Sequence, residues 1–298
     1  MQSIFAALIW AWLMASSFVV SAHVTPYASP LATTGLRFGM ALLLMTPIYY
    51  CLPKQPQDSL SRVFQSTSLT FKYLVISGTL VGFFIGLFSA LKTTSSLNTS
   101  VIYTFVPLFG AALMLFFGQR TSYQHWLGYM MGSAGAISVL VFTREGALTW
   151  HSGDGIYFIA CGLLAFHVIS VQRWGRQVTA FFGAYRIMLF GSIWLLPITL
   201  IWGDLGGVAW QNAQFWRFLF YLTVFTTLLT FVLQQRVIRC GGASRLLAFS
   251  YTIPIWVAVY QATQNQVMML YSYGFIIGSC MVLVALILID SQPRQQLE

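Results

Sequence analysis

The chain has 298 residues; 58% are hydrophobic and only 7% are charged, with 15 Lys and Arg against 6 Asp and Glu. A soluble domain carries about 25% charged residues, and a mean hydropathy of +0.76 leaves too little polar surface to face water. A soluble enzyme, a nucleic-acid-binding domain and a disordered tail are thereby excluded, and the expected fold class is an all-α polytopic membrane protein.

A helix that crosses a bilayer needs roughly 20 mostly apolar residues, because its backbone groups must bond within the segment. The first such run is 3–22. Val20-Ser21-Ala22 resembles a cleavage site, but no Lys or Arg precedes Arg37, so the basic region of a signal peptide is missing and the run is read as a mature helix. The second run, 31–51, carries Arg37 and Pro47. The third, 73–91, has Gly78, Gly82 and Gly86 at a spacing that lets helix backbones approach. The fourth, 97–117, places Asn98, Ser100, Tyr103 and Thr104 ahead of Pro107. The fifth, 124–142, contains Gly128 and Gly132. Then come 155–172 with His167, 181–202 with Arg186 and Pro197, and 216–235 ending on Gln234 and Gln235. The run 244–262 has Ser250, Tyr251 and Thr252 ahead of Pro254, and 269–289 holds Gly274 and Gly278. Ten spans leave only connections and tails, so any chemistry lies inside the helix bundle.

Basic residues favour the cytoplasmic side of a membrane. With the N-terminus inside, Lys54, Arg62, Lys72, Arg120, Arg173, Arg176, Arg236, Arg239, Arg245 and Arg294 fall on that side, against Lys92, Arg144, Arg217 and Arg37 outside. The net charge of +9 is therefore a topology signal that needs no nucleic-acid partner, and both termini are expected in the cytoplasm of an inner (plasma) membrane protein. Cys51, Cys161, Cys240 and Cys280 show no CxxC spacing and read as small apolar packing residues.

An internal repeat is visible by eye. Gly128-Tyr-Met-Met-Gly132-Ser133 recurs as Gly274-Phe-Ile-Ile-Gly278-Ser279, and Lys92, Pro107, Arg37 and Pro47 recur as Arg239, Pro254, Arg186 and Pro197. The offsets, 146 to 150 residues, form one register. Each half then has five spans, and an odd number forces the second half to enter the membrane from the opposite face. The expected organisation is two inverted five-helix repeats, residues 1–145 and 150–291, an architecture of secondary transporters.

Polar groups within a bilayer are costly and mark function by default. Asp58, Glu145, Asp154, Asp204, Asp290 and Glu298 all fall in loops, at helix ends or in the tail, so no carboxylate relay runs through a span. His167 sits within the sixth span, where it either takes a coupling proton or packs as a neutral, hydrogen-bonded ring. Arg37 and Arg186 occupy matched positions, either as contacts for an anionic group or as interfacial side chains capping carbonyls. Pro107 and Pro254 are expected to kink their helices and free backbone acceptors one turn earlier. Asn98, Tyr103 and Thr104 on one helix, and Ser250 and Tyr251 on the other, are thus candidates to line a substrate cavity, the alternative being interhelical bonding. Trp10, Met14, Ser17 and Gln234 complete that lining. No metal set, cofactor motif or Walker sequence is present, so no cofactor is expected.

Several of these residues carry a family resemblance. Ala6-Ala7-Leu8-Ile9-Trp10, Leu36-Arg37-Phe38, Ala90-Leu91-Lys92 followed by Pro107, and Gly118-Gln119-Arg120, in that order and spacing, resemble EamA-type members of the drug/metabolite transporter superfamily. The resemblance implies ten helices around a cavity lined by the first, third, fourth, sixth, eighth and ninth, and export or exchange of small metabolites such as amino acids. This chain departs from the family at Gln119, where relatives often have Glu, with Gln264 and Asn265 near the equivalent point of the second half. The expected partners are a small-molecule substrate and the lipid bilayer, and the glycine pairs on the fifth and tenth spans suggest a homodimer. Two other readings stand beside the metabolite transporter: a multidrug exporter, and a membrane-embedded enzyme or scaffold, of which the enzyme lacks its acids.

Overall fold

The structure, a computed structural model, describes residues 2–90, 92–94, 96–118, 122–142, 150–264 and 270–290. The regular elements among them are all helical. The first are α1 (Gln2–Val24), α2 (Pro30–Cys51), the short α3 (Leu60–Gln65) and α4 (Thr67–Ala90). Next come α5 (Ser96–Tyr103) and α6 (Val106–Phe116), which are one apolar rod broken at Thr104-Phe105, and then α7 (Tyr123–Phe142). The chain continues through α8 (Ser152–Ser170), α9 (Ala180–Trp202), α10 (Ala213–Thr223), α11 (Thr230–Ser250), α12 (Ile253–Gln264) and α13 (Tyr273–Asp290).

Seven stretches among the described residues are long and apolar enough to cross a membrane, where the sequence led us to expect ten spans. Two of the differences have local causes. The fourth expected span is the α5–α6 rod, interrupted at Thr104-Phe105, and among the described residues its apolar helix Val101–Phe116 is short of bilayer length. The eighth runs on into the first part of the ninth, because α10, a π turn at Val224–Leu229 and α11 continue as 38 residues from Ala213 to Ser250, and the rest of the ninth is the separate α12 beyond Tyr251-Thr252. The long stretch folds at Gly242, whose φ of 81° lies in the left-handed region that glycine enters without a Cβ clash. The third span outside the seven is α7.

The helices pack across the two halves of the sequence. α4 lies on α8 and α9, α1 lies on α11 and α10, α2 runs along α9, and α10 also touches α2. α6 and α5 meet α8, α12 meets α1, and α7 runs along α13. Glycines make the closest seams, as the spacing predicts. A Cβ on Gly86 would stand 2.6 Å from that of Ala160, and one on Gly82 would stand 2.9 Å from Leu163, which fixes α4 against α8. Gly135 and Gly278 face each other so closely that a Cβ on either would come within 2.7 Å of the other's carbonyl oxygen. The glycine faces of α7 and α13 therefore meet inside one chain, and the dimer suggested by those motifs loses the surface it was read from.

The first half also caps both ends of α9. Ser29, the N-cap of α2, accepts from Ala32 N–H at 3.1 Å within its own half and donates to the Gly203 carbonyl at the end of α9. Thr179, the N-cap of α9, donates its N–H to Asp58 Oδ1 at 2.9 Å and its hydroxyl to the same oxygen at 3.2 Å. An orphan donor at the start of α9 and an orphan carbonyl at its end are thus met from the first half.

Candidate functional site

Both prolines begin a new helix after a break. Pro107 lies in the first turn of α6 and Pro254 in that of α12, with Thr104-Phe105 and Tyr251-Thr252 as the interruptions. Hydroxyls turn back onto the backbone there: Thr104 Oγ1 donates to Val101 O at 2.6 Å, Ser250 Oγ to Leu247 O at 2.6 Å and Thr252 Oγ1 to Phe249 O at 2.8 Å. This is the local competition with helix that such side chains offer.

A third helix joins the breaks. Buried Ser133 on α7 donates to the Thr104 carbonyl at 3.0 Å and lies 3.0 Å from the Tyr251 hydroxyl, which in turn reaches Tyr129 O at 2.9 Å. Two hydroxyl protons serve three contacts, so the network has two alternative proton arrangements. The sequence reading passed over Ser133. Its signal was the serine following the repeated Gly-x-x-x-Gly, matched by Ser279, whose buried hydroxyl has no partner.

The two tyrosines therefore part company. Tyr103 points toward α1 and α8: its ring stands edge-on to Phe18 at 5.9 Å, and Cys161 and Tyr157 of α8 lie near it. Tyr251, only 1% exposed, lies flat against Gly132 of α7 and bonds between helices. Of the two places the sequence left open for it, a cavity lining beside Tyr103 or interhelical bonding, its contacts with Ser133 and Tyr129 are of the second kind.

His167 is fully buried at the far end of α8. Its Nδ1 donates to the Ile76 carbonyl of α4 at 2.7 Å, and its Nε2 accepts from Gln234 Nε2 on α11 at 3.2 Å. A ring nitrogen facing a carbonyl must carry the proton, which leaves the other as the acceptor. His167 so ties α4, α8 and α11 as a neutral ring. Beside it Gln235 Nε2 is buried without a partner. On α1, Trp10 is buried with its indole N–H unpartnered, while Met14 and Ser17 are partly buried. The Asn98 side chain lies outside the described residues, as do Gln119, Asn265 and the Gln264 side chain.

The matched arginines bind backbone and hydroxyls in the opposite half. Arg37 on α2 donates Nε to Thr227 Oγ1 at 3.0 Å and Nη2 to Thr226 O at 3.3 Å and Oγ1 at 3.1 Å. Those threonines lie on the π turn, which displaces carbonyls from the ordinary helix ladder. Arg186 on α9 donates to the Tyr73 hydroxyl of α4 at 2.9 Å and to the carbonyls of Gln57 and Ser59 at 2.6 and 3.1 Å. Neither has a carboxylate partner among the described residues. The anion-contact reading of this pair thus competes with donors already engaged.

The acids that looked peripheral in sequence are built in. Asp58 is 1% exposed beneath the start of α9, and Asp154, with no exposed surface, accepts from His151 N–H at 2.7 Å and from the Thr94 hydroxyl. Gln172 accepts from Ala243 N–H at the Gly242 fold. Polarity at a helix end gave no hint of these burials, because the partners come from distant loops.

These breaks, the neutral polar core and the cross-half packing invite comparison with known proteins. Residues 1–141 match the EamA-like transporter family. The resemblance carried by Ala6 to Trp10, Leu36 to Phe38 and Ala90 to Pro107 is thereby borne out over the first half of the chain, which with its apolar helices marks a multi-pass membrane protein similar to EamA-like transporters. A solved structure titled "Crystal structure of protein" is similar over 96% of both chains, with a TM-score of 0.77 and 16% identity; that likeness concerns the fold. No curated protein matches the chain.

The arrangement offers hydrogen-bonding groups and aromatic surface. Among the described residues no three His, Cys, Asp or Glu gather as metal ligands, and the four cysteines are free. The indole N–H of Trp10, the amides of Gln234 and Gln235 and the hydroxyl of Tyr103 are neutral polar groups, which hydrogen-bond without the cost of burying a charge.

Proposed function

We propose that the protein is a secondary transporter that moves small organic metabolites, amino acids among them, by alternating access through two inverted five-helix repeats of a ten-helix bundle. One observation carries this reading: the packing maps onto itself when residues are shifted by the 146–150 register of the sequence. α4 on α8 corresponds to α11 on α1, α4 on α9 to α10 on α2, and α6 on α8 to α12 on α1, while α2–α9 and α7–α13 are self-corresponding pairs. Exchange of conformation between two such halves converts an outward-facing pathway into an inward-facing one.

The substrate site in this reading is the neutral core around Trp10, Met14, Ser17, Tyr103, Thr104, His167, Gln234 and Ser250, with Asn98 beside it on α5. The termini face the cytoplasm of the inner membrane, as the basic residues require, and export or exchange is the direction that accords with the family resemblance. A neutral, doubly bonded His167 accords with exchange or facilitated movement, without a proton held on this ring.

The test is counterflow into proteoliposomes with labelled amino-acid pools, with and without a pH gradient. Saturable uptake that a Tyr103→Ala variant weakens at least about ten-fold in kcat/KM, the loss of roughly one good contact, supports the site. Saturable uptake untouched by Tyr103→Ala moves the site elsewhere, and absence of counterflow with every pool removes the amino-acid reading. Gradient-driven accumulation retained by His167→Ala would exclude that ring as the coupling group.

A further inference from the structure

Two side-chain clusters at opposite ends of the bundle join the halves at matched places. At one end Arg245 donates through Nε to Asp290 Oδ1 and through Nη1 to the Ser3 hydroxyl, with Nη2 also on Asp290. This ties the start of α1 to the post-Gly242 part of α11 and to the end of α13. At the other end the Thr94 hydroxyl, just beyond α4, donates to Asp154 in the first turn of α8. Gly153 lies against the Ala90 carbonyl there, where a Cβ would come within 2.6 Å.

The ends are fixed by the fold itself. Gln172 beyond α8 bonds Ala243, two residues from Arg245, and 18 residues of helical rise separate positions 154 and 172, about 27 Å. Shifted by the internal register, Ser3 at the start of α1 corresponds to the neighbourhood of Asp154 at the start of α8. Likewise Arg245, entering the segment before Pro254, corresponds to the residues before Pro107, where Thr94 lies. Each cluster thus links the first helix of one half to the entry of the fourth helix of the other.

We infer that Ser3–Arg245–Asp290 and Thr94–Asp154 are the two gates of the transport path, one at each end. The assignment rests on the alternating-access reading. The clusters differ in kind. The Arg245 gate holds a charge-assisted pair with two guanidinium nitrogens on one carboxylate, the stronger class of hydrogen bond. At the other gate the Thr94 hydroxyl donates to Asp154 across the halves, and Asp154 Oδ2 accepts from the His151 N–H of its own helix start.

Cys161 reports both gates. It is fully buried on α8 beside Tyr157 and Tyr103, nine residues or about 13 Å inward from Ser152. With Cys51, Cys240 and Cys280 replaced by serine, an impermeant thiol reagent is applied from either side of oriented vesicles. Arg245→Gln is expected to raise Cys161 labelling from the terminus-bearing side about five-fold or more and lower it from the other, the size of a typical coupling between sites. Ser3→Ala gives a smaller shift of the same sign, Arg245→Lys stays near wild type, and Thr94→Val shifts labelling toward the opposite side. Unchanged sidedness in Arg245→Gln and Thr94→Val, or labelling that rises equally from both sides, overturns the gates. Because labelling reads conformation and not flux, shifted sidedness without counterflow of any solute upholds the gates while removing the transport reading.

Discussion

The seam between α7 and α13 makes a sharp test of the packing. In Gly278→Ala the new methyl would stand 2.6 Å from the Gly135 carbonyl oxygen and 2.9 Å from both the backbone nitrogen and the side chain of Val139. A carbon–oxygen contact settles at about 3.3 Å or more, so the pair must part by about 0.7 Å. Two of the three obstacles, the Gly135 carbonyl oxygen and the Val139 nitrogen, are backbone, so no rotamer change relieves them. Overpacking of this sort costs about 1–3 kcal/mol. Gly155→Ala on α8 is the control, since its Cβ meets nothing within 4 Å and alanine gains up to about 1 kcal/mol over glycine in a helix. Thermal unfolding in detergent, followed by the monodisperse fraction on gel filtration, should show Gly278→Ala several degrees below wild type and Gly155→Ala at or above it. A Gly278→Ala protein as stable as wild type would refute the direct α7–α13 contact.

Gln172→Leu leaves the Ala243 N–H at the Gly242 fold without its acceptor, and a buried unsatisfied donor costs about 1–3 kcal/mol; the unfolding midpoint should fall while Gln172→Glu, which keeps an acceptor, stays closer to wild type. Tyr251→Phe removes the hydroxyl shared between Tyr129 O and Ser133 and should cost about 1 kcal/mol. Combined with Ser133→Ala it should cost less than the sum of the two single changes, because the contacts form one network; strict additivity in the same unfolding assay would sink the network.

Much of this fold was legible because a membrane restricts the options. Apolar runs of bilayer length had to be helices, and the order of glycines, prolines and arginines set the register in which those helices pair. Pro107 and Pro254 announced the two breaks, since a proline removes one ladder donor wherever it stands. Asp58, Asp154, Gln172 and Ser133 were illegible for a common reason: each owes its burial to a partner 29 to 121 residues away, and nothing local distinguishes it from an exposed polar residue. Gly242 was equally silent, because adjacent glycines at 241 and 242 do not say which takes the left-handed conformation. Tyr251 parts from Tyr103 because their symmetry is only near. It lies three residues before its proline where Tyr103 lies four, and one residue turns a helical side chain by about 100°, which carries the ring from the α1–α8 side to α7.

The arginines explain why the halves depend on one another. A guanidinium in an apolar bundle is expensive unless hydrogen bonds offset its lost hydration, and neither half supplies those bonds for its own arginine. Arg37 draws on Thr226 and Thr227 in the second half of the sequence; Arg186 draws on Tyr73 and on the Gln57 and Ser59 carbonyls in the first. The ends of α9 likewise draw on the first half, Gly203 O on Ser29 and Thr179 N–H on Asp58. Either half folded alone would leave its arginine without these partners, and the second would also leave both ends of α9 without theirs. Because hydroxyls and carbonyls hold the arginines with no carboxylate, each clasp can re-form with neighbouring carbonyls after a helix moves, whereas an ion pair would have to separate opposite charges in a low-dielectric interior. The two clasps therefore join the halves, and in the alternating-access reading proposed above they are the bonds that re-form as the halves shift.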